Sequence, residues 1–238
     1  MNPLPQHRAL LGVDVIGSAR NPGHHLGALK AATDTMTRVA LAESGILATH
    51  VTDWQSTGDG VLVTLPSSDL GALFDTATRM EELAAQHNRW SKPEVRLRIA
   101  IHVGPVGDEP GYYEPRIAHS RLLNAPAFKK IVERCLAERP DGSVNTGLIV
   151  SDDAFRTVFG GDHTRLVRQP EFASITVQDK EFSQPAWIRI PGFEARSLTA
   201  APRQPASTAS VQNVVTGDMH GVQAHTIHGG ITFGQGSR

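Results

Sequence analysis

Residues 46–65 read ILATHVTDWQSTGDGVLVTL. Two runs rich in apolar and β-branched residues, 46–54 and 61–65, flank Ser56-Thr57-Gly58-Asp59-Gly60. Glycines on either side of an aspartate supply the backbone freedom that a tight turn needs, so the stretch predicts a β-hairpin with a Gly-Asp-Gly tip. A hairpin makes its two strands antiparallel. That weighs against a doubly wound parallel sheet, whose strands are joined by crossover helices.

Working outward, residues 9–15, ALLGVDV, form the apolar run of a buried strand. Residues 25–43 carry Leu26, Leu29, Met36, Val39 and Ala40 at helical spacing, and Gly45 ends that helix. Beyond the hairpin, 68–88 reads as a helix. Residues 95–103, VRLRIAIHV, alternate as a half-buried strand, and 104–115 form a Gly/Pro/acidic loop. A helix over 116–136 follows, then a strand at 148–150 and a short helix over 152–159 with Ser151 as its N-cap. Strands at 175–177 and 186–190 close the set. The order βαββαβαβαββ predicts an α+β sandwich with a largely antiparallel sheet and helices on one face.

The composition agrees with a soluble globular protein. Of 238 residues, 39% are hydrophobic and 20% charged, which suffices for a core and a solvated surface. The net charge of −1 leaves no general basic field, so neither nucleic acid nor an anionic membrane is an expected partner. The single cysteine, Cys135, excludes an internal disulfide and a cysteine-based zinc cluster. No apolar run approaches the roughly 20 residues of a membrane span. The opening MNPLPQHRALLGVDV has no basic segment leading into a long apolar one, so a cytoplasmic location is expected. Three regions are predicted: a main domain over 1–192, an Ala/Pro/Ser-rich linker over 193–212, and a Gly/His-rich tail of short β units over 213–238.

Two carboxylates stand out. Asp14 ends the first strand, and Asp59 sits on the hairpin tip. If those strands are neighbours, the two acids meet, and like charges a few ångströms apart need a cation between them. Mg²⁺ or Mn²⁺ suits such oxygen ligands and keeps sites open for phosphate. The loop IGSARNPG after Asp14, with Gly17 and Ser18, precedes a helix and offers backbone N–H groups to phosphate. Taken by itself, Asp59 is equally an ordinary turn residue.

Four segments in order, GVDVIGSAR, STGDGVLV, VRLRIAIHVGPV and IAHSRLLNAPAF, resemble the catalytic domain of the class III nucleotidyl cyclases. A fifth, ITVQDKEFSQPAWIRIPG, resembles the closing hairpin of that family, and together the likeness spans about residues 8–191. It implies a ferredoxin-like cyclase sandwich. It implies an enzyme, a phosphorus–oxygen lyase that converts a nucleoside triphosphate to a 3′,5′-cyclic mononucleotide and pyrophosphate with two Mg²⁺ or Mn²⁺ ions. On that likeness Asp14, Asp59 and the Val15 carbonyl hold the ions, and Arg121 stabilises charge on the α-phosphate. Lys180, Gly17 and Ser18 contact the triphosphate, and Gln55 occupies a base-reading position. A homodimer is implied, arranged head to tail, with active sites shared between subunits.

The sequence departs from the family at two informative places. Ile117 stands where the family has a ribose-orienting Asn, and Gln55 stands where it has the Lys or Glu that reads a purine. An amide both donates and accepts, so Gln55 fits neither purine rule; it either reads a pyrimidine edge or simply faces solvent. The resemblance extends to the pyrimidine cyclases of bacterial antiphage defence, which points to cyclic UMP or cyclic CMP. The alternative is a cyclase-like module of a bacterial conflict system that binds nucleotide or a partner without turnover. A nuclease or polymerase is disfavoured by the neutral charge.

Other residues carry plainer readings. Arg121 on its own is an ordinary surface arginine, and Lys180 an exposed turn residue. His102 reads as a hydrogen-bonded core histidine, Cys135 as inert, and Glu81 and Glu82 as a solvated helix face. Arg96 and Arg98 share one strand face, toward a dimer interface or solvent. In the tail, VVTGDMHG, VQAHTIHG and GITFGQGS form eight-residue units. They are expected to recruit a partner protein or to self-associate, and His220, His225 and His228 fix no metal geometry.

Overall fold

The computed structural model describes residues 5–107, 114–179 and 182–200. Seven strands are present: β1 (Gln6–Val15), β2 (Asp53–Ser56), β3 (Val61–Pro66), β4 (Leu97–Val106), β5 (Thr146–Ser151), β6 (Ala173–Asp179) and β7 (Phe182–Arg189). They form one sheet in the order β2-β3-β1-β4-β5-β7-β6. Every neighbouring pair is antiparallel except β4 and β5. The α+β class and the largely antiparallel sheet are therefore as the sequence predicts.

The helices are α1 (Gly23–Glu43), α2 (Leu70–Trp90), α3 (Glu114–Asn124), α4 (Pro126–Glu138), α5 (Asp152–Phe159) and α6 (Ala195–Thr199). They do not lie on one face of the sheet, as expected, but on both. Ala9, Leu11, Val13 and Val15 of β1 join Leu97, Ile99 and Ile101 of β4 in a core with residues of α1, α2 and α5. On the other side, Ala100, Ile149 and Ile188 pack with Leu122 of α3 and with Phe128, Val132 and Cys135 of α4. The reason is visible in β1: Ala9, Leu10 and Leu11 are all fully buried, so the central strand is apolar on both faces and needs cover on both.

Four local expectations change. Of the run 46–54 only Asp53 and Trp54 are strand, the start of β2, and a 3-10 turn over Ala48–His50 precedes them. This is the sheet edge, and Leu47 there is exposed. The helix expected over 116–136 is two helices, because Pro126 has no N–H to continue the first and instead opens the second. Part of the stretch read as linker is folded: the compact unit extends to Thr199, and Leu198 of α6 is buried. Arg134 donates to the Leu198 carbonyl at 2.8 Å. Glu81 is not a solvated residue; it accepts from the Asn145 side chain at 2.8 Å and the Thr146 hydroxyl at 2.7 Å, tying α2 to β5. The Ser151 cap is as predicted, its hydroxyl accepting the Ala154 N–H at 3.3 Å. No helix among the described residues is long and apolar enough to cross a membrane.

Candidate active site

The site is organised by the meeting of β1, β3 and β4. Asp14 lies directly across from Arg98 in the β1–β4 register. Arg98 donates to Asp14 Oδ2 through Nε at 3.1 Å and also through a terminal N–H. The two side chains are 21% and 15% exposed, so the pair is only partly screened by water. Arg98 thus points neither to open solvent nor to a free surface, and Asp14 has a cation at its side.

The hairpin tip meets β1 from the other flank. Thr57 N–H donates to the Gly60 carbonyl at 3.0 Å, closing the turn, and Gly58 has a φ of 90° that a side chain would strain. A Cβ at Gly60 would overlap the Val13 carbonyl oxygen. The β1–β3 register ends where Val13 pairs with Val61, and Asp59 lies in the turn just before Val61. The missing side chain at Gly60 is therefore what lets the turn come this close to β1.

A cleft of about 770 Å³ opens beside these strands. Asp14, Gln55 and Thr57 line it from the sheet, and Arg116, Ile117 and Arg121 line it from α3. Three of the sequence-predicted residues, Asp14, Gln55 and Arg121, thus share one cavity. Asp59, Val15, Gly17 and Ser18 are not among its lining residues. Gly17 (φ 71°) instead starts a 3-10 turn over Ser18–Arg20. Lys180 and the tail histidines lie outside the described residues. Ile117 is 39% exposed on the cleft wall and offers no polar group where the family has its Asn.

Two functional candidates escaped the sequence reading. Asp53 Oδ2 accepts from Gln55 Nε2 at 2.6 Å and from an Arg116 terminal N–H at 2.8 Å. One carboxylate thereby fixes two polar side chains of the cleft wall, Gln55 and Arg116. The signal was present in part, since Asp53 and Gln55 are two apart on a strand and share a face. Arg116 is contributed by a helix 63 residues along the chain, which no local pattern reveals.

The floor of the cleft is histidine. His119 is fully buried, and its Nε2 donates to the Ala100 carbonyl at 3.2 Å. Burial pushes its pKa down to about 4, which keeps the ring neutral. His102 is also buried and also pushed down to about 4 by desolvation. Its Nδ1 has no hydrogen-bond partner, so it is a core histidine but not the hydrogen-bonded one expected. Buried Cys135, whose thiol burial pushes up, is inert as expected.

Of the two acids expected to hold divalent ions, Asp14 lines the cleft and is paired with Arg98, and Asp59 is not among the lining residues. No group of three or more His, Cys, Asp or Glu that would hold a metal by itself occurs among the described residues. Aspartate and backbone carbonyl oxygens are the ligand type that Mg²⁺ or Mn²⁺ takes, not the nitrogen and sulfur ligands of zinc.

Several solved structures share this architecture. An adenylate/guanylate cyclase/hydrolase from Silicibacter pomeroyi superposes with a TM-score of 0.52 at 18% identity, over 78% of this chain and 97% of that one. The guanylyl cyclase Cya2 gives 0.50 at 12% identity, over 82% and 99%. The catalytic core of a rhodopsin-guanylyl cyclase with converted specificity, in complex with ATPαS, gives 0.50 at 10% identity, over 79% and 97%. No protein-family model matches the sequence, and no curated protein matches it. The chain has the fold of the class III adenylyl and guanylyl cyclase catalytic domains.

Proposed function

We propose that the protein is a nucleotidyl cyclase that makes a cyclic pyrimidine mononucleotide. The observation that carries this is one cleft, in a cyclase fold, lined by Asp14, Gln55, Arg116 and Arg121. In the reaction the ribose 3′-OH loses its proton and its oxygen bonds to the α-phosphorus. The bond from that phosphorus to the α–β bridging oxygen breaks, and pyrophosphate leaves. Two divalent ions held by Asp14, Asp59 and the Val15 carbonyl would lower the pKa of the 3′-OH and neutralise the triphosphate. Arg121 donates to the α-phosphate oxygens as charge gathers there. Gly17, Ser18 and Lys180 are assigned to the triphosphate. Ile117 packs against the sugar without orienting it.

The base assignment rests on Asp53. Because Gln55 gives its N–H to Asp53, its Oε1 is left to accept from a base, and Arg116 supplies donors beside it. A wall with more donors than acceptors favours a base edge with two acceptors. Uracil (O2, O4) and cytosine (N3, O2) have two on their pairing edge, whereas adenine and guanine have one. The product is therefore assigned as cyclic UMP or cyclic CMP, a signal of the kind used in antiphage defence. A homodimer, a cytoplasmic location and recruitment of a partner through the tail complete the proposal.

A second reading has an observation in its favour. Ile117 in the ribose position and the Arg98 countercharge on Asp14 suit a module that binds nucleotide without turning it over. Incubation with Mn²⁺ and each of ATP, GTP, CTP and UTP, with products resolved by mass spectrometry, separates the two. A cyclic nucleotide from UTP or CTP is the expected result. A cyclic purine alone sinks the base assignment, and binding without product favours the inactive module.

A further inference from the structure

We propose that Lys129, tethered by Asn124 at one end of the cleft, binds the outer phosphates of the incoming nucleoside triphosphate. The identity of that ligand rests on the cyclase reading. The cleft has two ends, and the packing of α3 sets them. A Cβ at Gly104 would overlap the Pro115 ring, and one at Gly12 would overlap the His119 ring. In the β1–β4 register Gly104 pairs with Arg8, and Gly12 with Ala100. From Pro115 to His119, α3 therefore advances along β1 toward Asp14. Its last turn, with Arg121 and Asn124, lies toward the Asp14 end. Asp53 and Gln55, paired through β3 to the level of Leu10 and Gly12, lie toward the other end, where Asp53 holds Arg116. Arg116 and Asn124 stand about 12 Å apart along the helix axis, room for a base at one end and phosphates at the other.

Charge follows the same division. At the Asp14 end, Arg98 offsets the carboxylate that lines the cleft, and Arg121 lines it beside Asn124. Asn124 follows Arg121 by one turn on the same helix face. Its Nδ2 donates to the Ser120 carbonyl at 3.1 Å, and its Oδ1 accepts from Lys129 Nζ at 2.9 Å. A cleft-lining amide thus holds an ammonium contributed by α4 at the rim. Among the described residues that amide oxygen is the polar partner of Lys129, so two of its three N–H groups remain for a ligand. A compact, mobile point charge of this kind suits phosphate oxygens. Lys129 stands beyond Arg121 as the cleft is followed away from the base end. It therefore meets the phosphates that lie beyond the α-phosphate assigned to Arg121.

The test is a calorimetric titration of the full chain with inorganic triphosphate, a probe without base or sugar. Lys129→Gln is expected to bind it at least about tenfold more weakly than wild type, the scale of one charge-assisted hydrogen bond. Lys129→Arg, which keeps the charge, is expected to stay near wild type. So is Lys130→Gln, which removes the neighbouring exposed charge of α4. Asn124→Asp, which pairs the ammonium with a carboxylate, is expected to lose at least as much as Lys129→Gln. Unchanged binding by Lys129→Gln, an equal loss in Lys130→Gln, or no binding by wild type overturns the proposal. So does bound triphosphate that none of ATP, GTP, CTP and UTP displaces, since its site is then not the nucleotide's. Should Lys129→Gln lose its circular dichroism signature, wild-type affinity in Asn124→Asp overturns it. Failure of the cyclase reading shows separately, as absence of cyclic product from all four nucleoside triphosphates, and leaves these affinities unaffected.

Discussion

Gly12 of β1 lies directly beneath the imidazole of His119 in α3: a Cβ there would overlap ring atom Cε1 and stand 2.6 Å from Nε2. The absence of a side chain at Gly12 lets α3 come down onto the sheet, which brings Arg116 and Arg121 over the cleft. Gly12→Ala should push the ring away and cost about 1–3 kcal/mol, the usual range for overpacking a filled core. Urea denaturation measures this directly. An unchanged midpoint would mean that α3 shifts freely.

Asp59→Ala should leave the fold intact, because its side chain sits at a turn and not in the core. Turnover should fall at least about a hundredfold if Asp59 carries part of the ion site. Circular dichroism paired with a product assay checks both halves. Full activity in this variant would remove Asp59 from the mechanism.

Asp53→Asn and Arg116→Ala should act on base choice before rate. Asp53→Asn loosens the hold on both Gln55 and Arg116, and Arg116→Ala removes donors from the wall, so the preference for UTP or CTP should drop by about tenfold or more in kcat/KM. Competition among the four triphosphates reads the outcome. An unaltered preference in both variants would place base recognition elsewhere.

Acid should destabilise the protein through its buried histidines. Burial holds the folded pKa of both His102 and His119 near 4, below the usual 6.5. Between those values the unfolded chain binds protons that the folded chain refuses, so stability falls as pH drops from about 6.5 and levels off near 4. The loss is on the order of 3 kcal/mol for each histidine. Urea midpoints across this range should show it, and His102→Leu should flatten the slope. A pH-independent wild type would mean that both rings protonate in the folded state.

The sequence by itself determined much of this protein. The Gly-Asp-Gly hairpin, the Ser151 cap and the apolar runs of β1 and β4 are local patterns with period or turn chemistry behind them. They led to the antiparallel α+β sheet and singled out Asp14 and Asp59, while Gln55 and Arg121 came from the resemblance to the class III cyclases. The break at Pro126 was equally local, and only the strength of the flanking helical pattern hid it. Cover on both sheet faces was legible in the unalternating ALLGVDV. Other features belong to the tertiary structure alone. Arg98 finds Asp14 across 84 residues, and Arg116 finds Asp53 across 63. Periodicity tells which face of a strand a residue takes, but strand order and register decide what it faces, and those follow from how the whole core packs. That is why candidate acids such as Asp14 could be read from the chain, while the arginines that pair with Asp14 and Asp53 could not.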